Sequence, residues 1–168
     1  MTNHHLLRVE RLWIGAASAL LVVACSEPYQ STASQNPVPA VKAALVLSDS
    51  APVVGAALVV SVQALANEGT VGSYTAKINY DAAALRFDGE IPISDQALRA
   101  SNPTPGLVRL AGAAATGFLN GRLASYKFVV LRPNAARTLS LVVDEMHMIT
   151  RQDAKSALIV DPNRTTSR

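Results

Sequence analysis

Short apolar runs separated by turn residues constrain the fold of this chain more than any other feature of its sequence. Three such runs are Val41–Ser48, Ala56–Leu65 and Ser73–Tyr80, and segments rich in Gly, Pro, Asn and Asp lie between them. The last of these runs alternates apolar with polar residues, as a half-buried strand does. No long helical pattern interrupts the series. Repeated short strands of this kind predict an all-β chain folded as an antiparallel β-sandwich of about eight or nine strands.

The same alternation predicts which side chains face the core, because successive side chains of a strand point to opposite faces of the sheet. The residues predicted to point inward are Tyr74, Ala76, Ile78, Tyr80, Tyr126, Phe128, Val130, Leu139, Leu141 and Val143. Asp81 is predicted to cap a short turn through Ala82–Ala84 with its carboxylate. The stretch Ser101–Gly106 contains two prolines and a glycine, and it predicts a loop.

The N-terminal segment predicts export. An apolar run, Leu12–Val23, follows two basic residues, Arg8 and Arg11, and it is shorter than the roughly 20 residues that span a bilayer. A basic flank, a short apolar run and small residues are typical of a secretory signal peptide. The alternative is a buried core helix, which the basic flank and the N-terminal position disfavour.

The sole cysteine of the chain, Cys25, lies at the end of this apolar run. The segment Val22–Cys25 resembles the lipobox of bacterial lipoproteins. The resemblance implies cleavage before Cys25, acylation of its thiol and its new amine with chains such as palmitate, and insertion of those chains into the lipid bilayer. Ser26 in the next position implies sorting to the outer membrane. The alternative is an ordinary signal peptide followed by an incidental cysteine.

These features divide the chain into four parts. Residues 1–24 are the predicted lipoprotein signal peptide, and residues 25–40 are a polar segment with three prolines that predicts a flexible tether. Residues 41–160 are one domain's worth of chain, and the polar residues 161–168 predict a disordered tail. The predicted location is the cell envelope, with a lipid anchor at the outer membrane.

The charge of the chain after cleavage argues against a nucleic-acid partner. Removing residues 1–24 takes the basic count from 15 to 13 and the acidic count from 12 to 11, so the net charge is about +2. The charges are scattered along the chain, whereas nucleic-acid-binding domains concentrate basic residues on one face.

The residues needed for catalysis are scarce. After cleavage the one histidine is His147, which lies between two methionines in a predicted strand. Glu145 is predicted to share its face and Asp144 to lie on the other. A Glu–His pair either binds a metal weakly or belongs to a solvated polar face, because metal sites usually need three or four ligands. We therefore predict a non-enzyme that needs no cofactor and no metal.

The order of core and turn residues resembles that of a cohesin module over Val41–Val160. The positions that carry the resemblance are Gly55, Val60, Val62, Asn67, Tyr80, Asp81, Leu85 and Phe87 in the first half, and Gly121, Leu123, Phe128 and Val130 in the second. Cohesins belong to a superfamily that also contains carbohydrate-binding modules. The resemblance implies a jelly-roll-like sandwich, and these positions concern the fold more than binding.

The resemblance implies a function in protein–protein interaction, since cohesins bind dockerin modules through one face of the sandwich. A membrane-anchored module of this kind would hold a dockerin-like or unknown protein partner at the cell envelope. The outward residues predicted for the binding face are Thr75, Lys77, Asn79, Arg122 and Lys127. One alternative is polysaccharide binding, which the loss of Trp13 with the signal peptide disfavours because sugar sites rely on aromatic faces. The other alternative is a structural envelope lipoprotein.

Overall fold

A computed structural model describes residues 40–165 of the chain. The predicted signal peptide, Cys25 and the tether up to residue 39 lie outside the described residues, as do residues 166–168. The predictions for these segments therefore stay predictions. All the elements described below belong to one compact unit.

Nine strands form two sheets that pack face to face. The strands are β1 (Val41–Leu47), β2 (Ala57–Ala66), β3 (Val71–Asn79), β4 (Leu85–Glu90), β5 (Leu98–Thr104), β6 (Leu107–Ala113), β7 (Arg122–Val130), β8 (Ser140–Met148) and β9 (Leu158–Thr165). One sheet has five strands in the order β4-β7-β2-β1-β9, and the other has four in the order β5-β6-β3-β8. The predicted all-β sandwich is confirmed. Between residues 40 and 165, no helix is long and apolar enough to cross a membrane.

The C-terminal strand departs from the prediction in direction and in length. β9 pairs with β1 in parallel, whereas the other strand pairs of the described residues are antiparallel. Its pairing continues through Ala44↔Asp161 to Leu47↔Thr165, so the predicted domain end at 160 and the disordered tail are wrong for residues 161–165. The polar sequence of this segment did not predict a strand. An edge strand needs no apolar alternation, and it tolerates the proline of this segment.

The predicted loop at Ser101–Gly106 is also wrong for most of its length. Residues up to Thr104 belong to β5, which is the edge strand beside β6. Pro103 pairs in register with Val108 at this edge. A proline is tolerated there because the outer side of an edge strand has no neighbouring strand that would accept a hydrogen bond from a backbone N–H.

The core lies between the two sheets, and its inward residues are those predicted. Tyr74, Ala76, Ile78 and Tyr80 are all buried, with at most 8% of their surface exposed. The other residues predicted to point inward are also buried: Tyr126, Phe128, Val130, Leu139, Leu141 and Val143. The alternation therefore predicted the core correctly on both sheets.

An aromatic cluster joins the two sheets near the β4 edge. Phe128 lies with its ring centroid 5.1 Å from that of Tyr80 and 5.6 Å from that of Phe87, both in edge-to-face geometry. Such pairs add roughly 0.5–1.5 kcal/mol beyond the area they bury. Phe128 is therefore a principal anchor of the core.

The turn after β3 forms as predicted. The Asp81 carboxylate accepts a hydrogen bond of 2.8 Å from the Ala83 N–H, and the Asp81 carbonyl accepts from the N–H groups of Ala84 and Leu85 at 2.9 Å. The side chain thus satisfies an amide that the short turn leaves unpaired. Asp81 is a capping residue.

Two glycines that carry the family resemblance differ in how strictly the structure requires them. Gly121 has a φ of +67°, and a Cβ added there would lie 2.4 Å from the Ala64 carbonyl oxygen. Gly55 has a φ of +85°, but an added Cβ would meet no atom within 4 Å. Left-handed backbone costs a side chain about 1–2 kcal/mol at either position. Only Gly121 adds a clash with backbone.

We expect Gly121→Ala to lower the free energy of unfolding by about 2–5 kcal/mol, because backbone strain and overpacking add. Gly55→Ala is the matched control and should lose about 1–2 kcal/mol from strain alone. Urea denaturation of both variants measures the difference. Equal losses would mean that the close approach of Gly121 to Ala64 does not hold in solution.

Candidate binding face

The structure divides the predicted binding face between two sheets. Thr75, Lys77 and Asn79 point outward from β3 in the four-stranded sheet, whereas Arg122 and Lys127 are exposed on β7 in the five-stranded sheet. The outer faces of the two sheets lie on opposite sides of the sandwich, so the five residues do not form one surface. Each of the five side chains lies on the outer side of its own sheet, Arg122 because the register of β7 shifts beside it. The residue pattern of a strand carries no information about which sheet holds that strand.

The outward side chains of the four-stranded sheet form an ordered surface, which we call the four-stranded face. Four rows cross the strands in the order β5, β6, β3, β8, as the pairing register shows. The rows are Leu98–Ala113–Ser73–His147, Ala100–Ala111–Thr75–Glu145, Asn102–Arg109–Lys77–Val142 and Thr104–Leu107–Asn79–Ser140. Three residues of the predicted set, Thr75, Lys77 and Asn79, lie in this grid.

Small side chains occupy the centre of the four-stranded face, and we call this part of the face the floor. Its first two rows place small side chains next to one another: Ala113, Ser73, Ala100, Ala111 and Thr75. Two shallow depressions of about 380 and 310 Å³ lie over this floor, and Thr75, Ala100 and Ala111 line both. A sheet floored by small side chains allows the backbone of another molecule to approach closely.

Charged groups border this floor on the β8 side. Lys77 Nζ donates to Asp144 Oδ1 at 2.9 Å, so this pair is neutral as a unit. Asp144 and Glu145 were predicted to lie on opposite faces of the strand, which is wrong, because the pairing register shifts between Thr75↔Glu145 and Ala76↔Val143. Because a bulge places an extra residue on one strand, it leaves both Asp144 and Glu145 directed outward. The prediction that Glu145 and His147 share a face is consistent with this geometry.

No metal centre assembles around His147 in the described part of the chain. Its cross-strand neighbour is Ser73, and its backbone forms an isolated bridge with Asp153. Within residues 40–165, no three His, Cys, Asp or Glu side chains converge as a metal site requires. Glu145 and His147 line one of the two depressions at the border of the floor.

Aromatic side chains are absent from the four-stranded face. Residues 40–165 contain six aromatic residues, of which five are buried and Phe87 is half-buried. The half-buried one belongs to the cluster at the β4 edge, on the other sheet. Flat aromatic platforms of the kind that stack on sugar rings are therefore not presented by the described residues.

A polar cluster that the sequence analysis missed fixes β5 against β7 behind the face. Arg99 Nε donates to the Leu123 carbonyl at 2.6 Å, and Arg99 Nη2 donates to Asp95 Oδ2 at 2.8 Å. The guanidinium carbon lies 5.3 Å from the centroid of the Phe118 ring, within cation–π range. The bidentate ion pair is strong because its geometry matches the carboxylate. The cluster therefore holds the edge strand of the four-stranded face in place.

Two buried tyrosines complete this cluster. The Tyr74 hydroxyl donates to the same Leu123 carbonyl at 3.0 Å. Burial raises the pKa of Tyr74 and of Tyr126, so both phenols stay neutral. The Ser101 hydroxyl also contacts the Glu90 carboxylate, which ties β5 to β4. These groups connect the two sheets at the open edge of the sandwich.

Asp95 predicts a specific loss of stability in acid. Its hydrogen bonds with Arg99 lower the pKa of the Asp95 carboxyl to about 2, below the value of about 3.9 for an unperturbed Asp. A depressed pKa contributes stability that is present above the unfolded-state pKa and is lost as the pH falls through the folded-state pKa. We expect thermal melting to show the wild type losing stability between about pH 4 and pH 2 more steeply than Asp95→Asn. Identical slopes would contradict this assignment, and Glu68→Gln, at an exposed loop acid, is the matched control.

Comparisons with known proteins identify the fold. No protein-family model matches the chain, and no curated protein matches it in sequence. Solved structures do match. The type II cohesin dyad from the adaptor scaffoldin ScaA of Acetivibrio cellulolyticus has a TM-score of 0.57 and 12% identity, over 74% of this chain and 48% of that chain. The chain thus spans about half the length of that dyad.

Single modules match over nearly their whole length. A non-cellulosomal cohesin from the archaeon Archaeoglobus fulgidus has a TM-score of 0.56 and 19% identity, over 75% of this chain and 92% of that chain. The sixth cohesin of scaffoldin B from Acetivibrio cellulolyticus, solved in complex with a mutant Cel5 dockerin, has a TM-score of 0.54 and 13% identity, over 76% and 99%. Residues 40–165 therefore have a cohesin-like fold, as the sequence resemblance predicted.

Proposed function

We propose that this chain is a non-catalytic binding module that captures another protein on the four-stranded face. The observation that carries the proposal is the floor of small side chains on four strands in continuous register. Ala100 and Ala111 lie opposite each other at its centre, and Thr75 completes the row beside them. Small side chains allow the main chain of a partner to approach the sheet closely over a broad area. Such a surface suits a folded protein better than a small substrate.

The partner that we propose is a protein of dockerin type. The support is the fold, which this chain shares with cohesins that include one solved in complex with a dockerin. Identity to these cohesins is 10–19%, so the partner cannot be read from their side chains. The side chains of this face set its own specificity: Arg109 and the Lys77–Asp144 pair lie on one side of the floor, and Glu145 borders it at β8.

Protein is favoured over polysaccharide by the distribution of aromatic rings. Sugar-binding sites of related sandwiches depend on exposed aromatic faces. In the described part of this chain the rings are in the core or at the β4 edge, and none lies on the four-stranded face. Polysaccharide binding would have to rely on polar side chains alone.

The anchor that we propose is an acylated Cys25 at the bacterial cell envelope. Two or more acyl chains on one residue hold a protein stably, because each buried methylene adds about 0.8 kcal/mol. We expect labelled palmitate to be incorporated into the full chain in cells and Cys25→Ser to abolish both the label and sedimentation with membranes. A Cys25→Ser protein that still sediments with membranes would contradict the anchor.

Binding is tested with a soluble fragment from Gln35 to Arg168, which contains all nine strands. The immobilised fragment would be exposed in parallel to detergent-solubilised envelope extract and to a panel of polysaccharides. The proposal predicts saturable retention of a protein and competition by free fragment. Retention on a polysaccharide without a protein partner would overturn the proposal and favour a carbohydrate-binding module.

A further inference from the structure

Exposed apolar side chains cluster at the end of the sandwich where the chain enters the domain. Leu65 and Ile159 flank Lys42 in one cross-strand row of the five-stranded sheet, and they are 49% and 61% exposed. Leu119, in the loop before β7, is 56% exposed. We call Leu65, Leu119 and Ile159 the entry-end patch.

The three side chains of the entry-end patch lie at the same end of the sandwich, with Lys42 of β1 between Leu65 of β2 and Ile159 of β9. Gly121 packs against the end of β2, since a Cβ added there would lie 2.9 Å from Leu65 Cδ2. Leu119 is two residues before this glycine in the same short 3₁₀ turn. Isolated apolar side chains on a surface are ordinary, but several beside one another point to an interaction.

The entry-end patch surrounds the point where the predicted tether joins the domain. The Ala40 carbonyl accepts a hydrogen bond of 3.0 Å from the Asn67 N–H, and Asn67 is only two residues beyond Leu65. Fourteen residues, 26–39, separate the predicted acylated cysteine from Ala40. If this segment is the flexible tether that its sequence predicts, it spans about 20 Å on average, and the end that carries the patch stays close to the bilayer.

We propose that the entry-end patch contacts the lipid bilayer in which Cys25 is anchored, and that this contact orients the sandwich on the membrane. The inference rests on the proposed acylation of Cys25. Tethering raises the effective concentration of the patch at the bilayer surface, so a contact too weak to recruit a free protein suffices to orient an anchored one. Because Leu65 and Ile159 project from the five-stranded sheet, the four-stranded face on the other side of the sandwich would stay open to a partner.

The chemistry of the patch fits the boundary between headgroups and acyl chains. Lys42 lies between Leu65 and Ile159, and its ammonium is paired with Asp161 at 3.0 Å. The stem of a lysine can cover apolar surface while its charge reaches the headgroups. Because Lys42 is already paired with an acid, we expect contact to depend on apolar insertion and to vary little with salt.

In the test, an artificial anchor attaches the domain to vesicles in place of Cys25. A Gln35–Arg168 fragment with an N-terminal histidine tag would be bound to vesicles of phosphatidylethanolamine and phosphatidylglycerol that contain a nickel-chelating lipid. The fragment has no native thiol, so Leu119→Cys provides one site for an environment-sensitive fluorophore. Val53→Cys is the matched control, since Val53 is 73% exposed in the β1–β2 loop at the other end of the strands.

We expect the probe at residue 119 to shift to the blue and to be quenched by lipids spin-labelled in their acyl chains, and the probe at residue 53 to do neither. Leu65→Asp combined with Ile159→Asp should reduce the quenching at residue 119 about tenfold or more, because burial of even one leucine changes partitioning by that factor. A water-like probe at residue 119 on an anchored fragment, or equal shifts at both residues, would overturn the inference. The artificial anchor makes this result independent of whether Cys25 is acylated, which palmitate labelling tests separately.

Discussion

We expect Phe128→Ala to lower the free energy of unfolding by about 3–5 kcal/mol, the usual cost of removing a fully buried phenylalanine. Phe128 has no exposed surface, and its ring contacts both Tyr80, just after β3, and Phe87 from β4. The substitution removes the apolar surface and two edge-to-face contacts, and the two sheets cannot collapse fully onto the cavity. For a domain of this size, such a loss is a large share of the total stability.

Urea denaturation measures this effect, and Phe87→Ala is the matched control. Phe87 contacts the same cluster but is only half-buried, so its loss should be clearly smaller. Equal losses would show that Phe128 does not hold the position between the sheets that the packing assigns to it. If the Phe128→Ala fragment does not fold, Phe128→Leu replaces it in the comparison. We expect Phe128→Leu to lower the free energy of unfolding by roughly 1–2 kcal/mol.

The second large effect concerns binding. We expect Ala111→Arg to weaken capture of the protein partner by about 100-fold or more, because a long charged side chain would fill the floor at the centre of the four-stranded face. Ala111 lies between Ala100 and Thr75 in the middle of the sheet and lines both depressions. The side chain points outward, so we expect the stability of the domain to change by no more than about 0.5 kcal/mol.

The control for this variant is Ala57→Arg. Ala57 is an exposed alanine that points outward from β2 in the five-stranded sheet, on the other side of the sandwich. Titration of both variants against the captured partner separates a local effect from a general effect of added charge. If Ala57→Arg weakens capture as much as Ala111→Arg does, the binding surface is not the four-stranded face.

The sequence predicted the fold largely because its core strands carry strict alternation. Tyr74, Ala76 and Ile78 lie on β3, which has neighbours on both sides, so burial selects apolar residues at every second position. The edge strand β5 was missed and β9 was predicted only as far as Val160, because an edge strand has a neighbour on one side only and these segments carry no such alternation. Each also contains a proline, which signals a turn in sequence but is tolerated at an edge.

The binding face was predicted only in part, for a related reason. Alternation indicates that Lys127 and Lys77 both point outward, but the sheet that holds each strand depends on the long-range order of the strands. Ala100 and Ala111 carry no chemical signal in sequence, and only the register places them together. The ion pair of Arg99 with Asp95 was missed because two opposite charges four residues apart are common in sequence. Only the fold shows that this pair packs against β7.

The position of the binding surface can be tested most directly by site-specific photo-crosslinking of the full chain in cells. A photoreactive amino acid would replace Ala111 in one variant and Ala57 in another, one on each side of the sandwich. If the four-stranded face binds the partner protein, we expect a discrete, saturable protein adduct from position 111 and none from position 57. No adduct at 111, or the same adducts at both positions, would contradict it.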